Sequence, residues 1–168
     1  MKRWVIAQLT LIVISGFLAY LTGSYARSAD LVPVLSTLQN ISAAVFTLTG
    51  IWVAYMYPEA ISVFTSSDKV SLLKGSENVN RISDLVLIIF TSAFVLVGIL
   101  VYNVVFLLFI HSELVVAHLH VFKTLAVAFV IYLSLNQLRA VFSIMSKNIM
   151  FVERLHSLRT EREVEDDL

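Results

Sequence analysis

The sequence predicts an all-α membrane protein with four transmembrane helices, both termini cytoplasmic, and the fourth span continuing into an amphipathic cytoplasmic C-terminal helix. Three observations carry this. The chain of 168 residues is 58% hydrophobic and 14% charged, against about a quarter charged in an average soluble domain. The excess falls into four apolar blocks, at about 4–23, 31–57, 85–110 and 114–138, each long enough to cross a bilayer core of about 30 Å at about 1.5 Å per residue. The basic residues are sorted between the connections. Ten of the twelve Lys and Arg (Lys2, Arg3, Lys69, Lys74, Arg81, Arg139, Lys147, Arg154, Arg159 and Arg162) fall on one side, Arg27 falls on the other, and Lys123 lies in a span. Positive residues in short flanking segments mark the cytoplasmic face. The expected location is therefore the bacterial inner membrane, multi-pass, with both ends inside.

These blocks divide the chain into a transmembrane domain, 1–138, with a cytoplasmic loop at 58–84, and a cytoplasmic helical tail, 139–168. No soluble domain of ordinary size fits in what remains. Net charge is zero and no basic run is present, which gives no reason to expect direct contact with nucleic acid. The absence of cysteine excludes disulfides and thiol redox chemistry.

Span 1 opens with Lys2 and Arg3, as a signal peptide would, but its apolar run of about 20 residues is too long for a typical signal core. It reads as a retained span. Ser15, Ala19 and Gly23 repeat at four-residue spacing on it, a pattern that lets helix backbones approach closely in lipid. Span 2 is expected to open with Asp30 as N-cap and Pro33 in its first turn. Ser36, Asn40, Ala43, Thr47, Gly50 and Ala54 then fall at steps of four and three, a continuous small and polar seam on one face. Such a seam marks a tight helix contact, either within the chain or with a second copy.

The loop after span 2 begins at Pro58, which ends the helix or restarts a short one lying on the membrane. Asn78 or Asn80 is the expected cap of span 3. That span is some 26 residues long, about 39 Å of helix, and exceeds the core, so it tilts or protrudes.

Span 4 carries His118, His120 and Lys123 in an apolar helix. Folding the span 3–span 4 hairpin near residue 112 brings Tyr102, Asn103, His120 and Lys123 to similar depth, a candidate intramembrane polar cluster. If the core begins at Glu113, Lys123 lies about 15 Å in, and a charge there marks function. If span 3 protrudes, span 4 enters the core near residue 119, and Lys123 is an anchor whose ammonium reaches the head groups. The length of span 3 favours the second placement. His118 and His120 point to opposite faces, and no metal-binding spacing is present, so neither metal nor any other cofactor is expected. No nucleophile–base pair or phosphate loop is visible, so the chain does not read as an enzyme.

Beyond span 4, Leu138, Phe142, Met145, Ile149 and Val152 repeat at four and three, suiting a coiled-coil seam. With Arg154 and Arg159 alongside, the same stretch also suits anionic lipid. Phe142, Met145, Ile149, Val152, Arg154 and Arg159 are the expected partner-binding residues of the tail.

No motif ties the chain to a family. In architecture it resembles the small four-pass inner-membrane proteins of prophage superinfection exclusion and bacterial phage defence, and the resemblance covers topology only. The expectation is a non-enzymatic membrane subunit that homo-oligomerises and scaffolds or signals to a cytoplasmic protein partner. The competing expectation is an oligomeric ion channel or small transporter built around Lys123. Spans 1 to 3 hold no acid or base in their interior, which argues against proton-coupled export.

Overall fold

A computed structural model describes residues 2–23, 25, 28–56, 77–110 and 112–166. Helix is the only regular structure among them: α1 (Lys2–Thr22), α2 (Ser28–Met56), α3 (Glu77–Phe109), the single-turn α4 (Glu113–Ala117) and α5 (Leu119–Asp166). Four stretches are long and apolar enough to cross a membrane, Val5–Thr22, Ala29–Ala54, Ser83–Phe109 and Leu119–Ile149. Large apolar side chains such as Val13, Phe17, Phe90 and Leu107 stand exposed on their outer faces. An apolar exterior on helices of this length is the signature of a helix in lipid, and the chain is a multi-pass membrane protein.

The packing is uneven. α2 and α3 form the most extensive pair, α5 lies against both, and α1 rests mainly on α5. Two apolar clusters hold α2, α3 and α5 together. One contains Leu35, Leu38, Val95, Ile99, Val130 and Leu133. The other, nearer the C-terminal part of α5, contains Val45, Leu85, Ile88 and Ala140. Gly98 meets Leu133 so closely that a Cβ would lie 2.9 Å from one of its methyls.

Several boundaries differ from the sequence expectation. α2 begins at Ser28, which puts Asp30 in the first turn instead of at the cap and Pro33 inside the helix. An acid there still favours the positive end of the helix dipole. α3 begins at Glu77, so Asn78 and Asn80 are helical residues and not caps, and the loop expected at 58–84 ends before 77. The readings of Pro58 and the rest of 57–76 lie outside the described residues. Span 4 is not continuous from residue 114. It is divided at His118, whose carbonyl accepts from the amides of Val121 (3.0 Å) and Phe122 (3.3 Å) to start α5. No Gly or Pro lies between 113 and 119, and no breaker residue explains the division.

α5 then runs 48 residues without interruption, about 72 Å. It passes the expected domain boundary at 138 unbroken, and Ala140 beyond it is buried against α2 and α3. Packing against the bundle therefore continues past the point where a separate tail was expected.

Candidate functional site

Between the two apolar clusters lies a layer of polar side chains. Ser42 on α2, Ser92 on α3, and Asn136 and Gln137 on α5 are all at most 2% exposed. Each sits midway in register between residues of the upper cluster (Leu38, Val95, Leu133) and the lower one (Val45, Ile88, Ala140). The helices bring them together because seven residues make close to two turns, so each polar residue falls on the face its apolar neighbours bury.

The layer continues to α1 through a chain of amide bonds. Gln8 Nε2 donates to Asn136 Oδ1 at 3.1 Å, Tyr132 Oη donates to Gln8 Oε1 at 2.8 Å, and Asn136 Nδ2 donates to the Tyr132 carbonyl at 2.9 Å. Tyr132 is also fixed by an edge-to-face contact with Phe94, 6.5 Å between centroids at 87°. On the other side, Gln137 Nε2 reaches Ser92 Oγ at 3.4 Å, a long bond. Ser42 Oγ, Thr49 Oγ1 and Gln137 Oε1 are buried without a hydrogen-bond partner among the described residues. Such groups cost free energy in an apolar interior. The layer is thus well paired toward α1 and under-paired toward α2.

Sequence reasoning missed this layer. Its signal was present in the Asn136-Gln137 pair inside an unbroken helix and in Gln8 inside span 1, because amides in a span seek partners across helices.

The expected intramembrane cluster is split. Tyr102 and Lys123 line one cavity of about 760 Å³ between α1, α3 and α5. Asn103 and His120 are exposed and are not among the residues of that cavity. Tyr102 is held by stacking on Phe129 (6.3 Å, 12°) and on Phe106 (6.0 Å, 14°). That orientation turns its sequence neighbour Asn103 about 100° away. Lys123 is half-buried and makes no ion pair or hydrogen bond among the described residues. It lies sixteen residues before Arg139, about 24 Å along α5.

The two small-residue stripes are placed differently. Ser15, Ala19 and Gly23 of α1 are buried, and a Cβ on Gly23 would fall 2.8 Å from Thr124 Oγ1, so this stripe is where α1 meets α5. Among the described residues no helix packs over the α2 seam. Ser36, Asn40, Ala43, Thr47 and Ala54 are exposed, and Gly50 is half-buried with open space where a Cβ would go. Leu35, Leu38, Ser42, Val45 and Thr49 face the bundle instead, about 140° round the helix from the seam.

At the far end of the bundle, Lys147 Nζ bonds Asp84 Oδ2 at 2.6 Å, tying α5 to α3. Of the expected tail residues, Phe142, Met145 and Ile149 are exposed and continue a stripe that starts at Leu138. Val152, Arg154 and Arg159 lie on the same helix, their side chains outside the described part. Among the described residues no group of three His, Asp or Glu is placed to hold a metal. No protein-family model matches the chain, and no curated protein or solved structure is similar to it.

Proposed function

We propose that this protein is a non-enzymatic subunit of a bacterial inner membrane, which homo-oligomerises through α2 and scaffolds or signals to a cytoplasmic partner. One observation carries the reading: the seam from Ser36 to Ala54 faces outward, with Asn40 near the middle of the span and, among the described residues, no helix of the same chain packed over it. In lipid an exposed amide lacks the partners water would give it, and small residues allow a second backbone to approach closely. A second copy presenting the same face supplies both, in the isologous manner of a two-fold interface.

The orientation with both termini inside is supported by the distribution of Lys and Arg. Lys123 and Arg139, about 24 Å apart on one helix, suit side chains reaching in opposite directions to the two surfaces of a core of about 30 Å. The exposed stripe Leu138, Phe142, Met145 and Ile149 is the surface offered to a protein partner, and a place in phage exclusion or defence rests on the four-pass layout alone. The channel reading is weaker within a single copy, because apolar clusters close the polar layer on both sides.

The chain has no cysteine, so single cysteines test the interface without background. Ala43→Cys and Thr47→Cys are expected to cross-link into dimers in native membranes under mild oxidation. Leu48→Cys, exposed but about 120° from the seam, is expected not to. Equal cross-linking at all three positions, or none at any, rejects the seam as an interface.

A further inference from the structure

The cavity between α1, α3 and α5 differs from the seam in place and in chemistry. It is lined by residues of α1, α2, α3, α4 and α5, at the place where α1 rests on α5. Its walls are Ile12 and Gly16 of α1, Val105 and Phe106 of α3, and Phe122 and Phe129 of α5. Its volume of about 760 Å³ falls within the range of about 300–1,000 Å³ usual for a small-molecule site.

Along α5 the lining runs from Leu119 to Tyr132, about 20 Å of helix. One leaflet of the hydrocarbon core is about 15 Å deep, half of about 30 Å. From Lys123 to its inner end at Tyr132 the cleft is about 14 Å long, close to that depth. At its inner end Tyr132 has already committed its hydroxyl to Gln8, so the floor offers no free donor to a polar ligand. Among the described residues its one charged lining residue is Lys123, a single turn from the start of α5 and without an acidic partner there. An apolar slot one leaflet long, with an unpaired ammonium near its outer end, is complementary to an anionic amphiphile.

We infer that this cleft binds an anionic phospholipid, taking one acyl chain between α1 and α3 and pairing the headgroup phosphate with Lys123. The lipid enters laterally from the leaflet at the α3–α4 end. Tyr102, on the wall of the same cleft with no hydrogen bond to its hydroxyl among the described residues, faces the glycerol ester region. The inference rests on the membrane-spanning placement of the four helices and is independent of the α2 seam.

The test is native mass spectrometry of the full chain in detergent, titrated with phosphatidylglycerol or with phosphatidylcholine of the same acyl chains. One phosphatidylglycerol per chain is expected to survive collision energies that strip phosphatidylcholine. Lys123→Ala is expected to weaken phosphatidylglycerol binding at least tenfold and abolish the preference, while Lys123→Arg retains it. Gly16 has open space at its Cβ, so Gly16→Phe fills the slot and is expected to remove both lipids. Gly16→Cys provides a second reading that does not need the bulky variant to fold: phosphatidylglycerol slows its maleimide labelling and phosphatidylcholine does not. Undiminished binding in Lys123→Ala, unprotected labelling at Gly16→Cys, or oleate displacing phosphatidylglycerol at equal concentration overturns the inference. So does a Gly16→Phe protein that keeps its lipid and changes its subunit number. Failure of the α2 cross-links would leave these lipid measurements untouched, so the two readings fail separately.

Discussion

Two helices of this protein carry the same kind of stripe and use it differently. On α1, Ser15, Ala19 and Gly23 are buried against α5, close enough that Gly23 sits within contact range of Thr124. On α2 a longer and more polar stripe, from Ser36 to Ala54, is turned away from every described helix of its own chain. The physical content of the motif is the same in both: small side chains remove the steric bar to close approach, and dispersion between backbones follows. What differs is the competition. α2 also carries Leu35, Leu38 and Val45 on another face, and these bury between α3 and α5. That face is used first, and the small face is left over. α1 has no rival face: Gln8 lies on the same side of the helix as the stripe, the remaining surface carries exposed apolar side chains such as Ile6, Val13 and Phe17, and the stripe side is the one that docks.

Changes to the α1 stripe are expected to have the largest effect. Ala19 is fully buried, and Ala19→Leu overpacks the α1–α5 contact at a cost of about 1–3 kcal/mol, read as a lower unfolding midpoint in a detergent titration. Gln8→Leu removes the amide latch beside that stripe and leaves Asn136 Oδ1 and the Tyr132 hydroxyl without their partner. Interhelical bonds of this type in membranes contribute about 0.6 kcal/mol on average and up to about 1.7, so the same titration is expected to shift by less than for Ala19→Leu. If Gln8→Leu proves the more damaging, polar pairing and not close packing positions α1.

Gly50→Leu on the other stripe has the opposite profile. The unfolding of a single chain is expected to change by less than about 0.5 kcal/mol, because among the described residues nothing lies within 4 Å of where a Cβ at this position would stand. Subunit number in size measurements is expected to fall. A destabilised monomer with intact assembly would reverse the assignment of the two stripes. Asp84→Asn is expected to do least. It breaks the Lys147 pair, which is exposed on the Asp84 side, and such pairs contribute about 0–1 kcal/mol. The effect should shrink further in high salt.

How much of this was legible follows from the same distinction. The first three span positions were readable to within three residues, because length and hydropathy answer directly to bilayer thickness. The fourth apolar stretch, Leu119–Ile149, starts five residues and ends eleven residues later than expected, because no Gly or Pro marks where the helix leaves the apolar run. The partner of each stripe was not readable, since spacing describes one helix and burial depends on two. The polar layer stayed hidden for a related reason: Ser42 and Ser92 are ordinary residues in a span, and only their shared register with Gln137 makes them a layer. Tyr102 and Lys123 do share a cavity, whereas Asn103, adjacent to Tyr102, faces away. Depth alone placed all four together, and rotation about the helix axis separated them.

The unbroken α5 has a mechanical consequence. From Leu119 to Asp166 it contains neither Gly nor Pro, so it has no built-in hinge. Among the described residues its last tie to the bundle is the Lys147–Asp84 pair, and the 19 residues from there to Asp166 make a lever arm of about 29 Å. Pivoted at that pair, a tilt of about 10° within the membrane sweeps the end of the helix through about 5 Å. A small adjustment among the lipid-facing helices is thereby geared up into a displacement large enough for another molecule to sense.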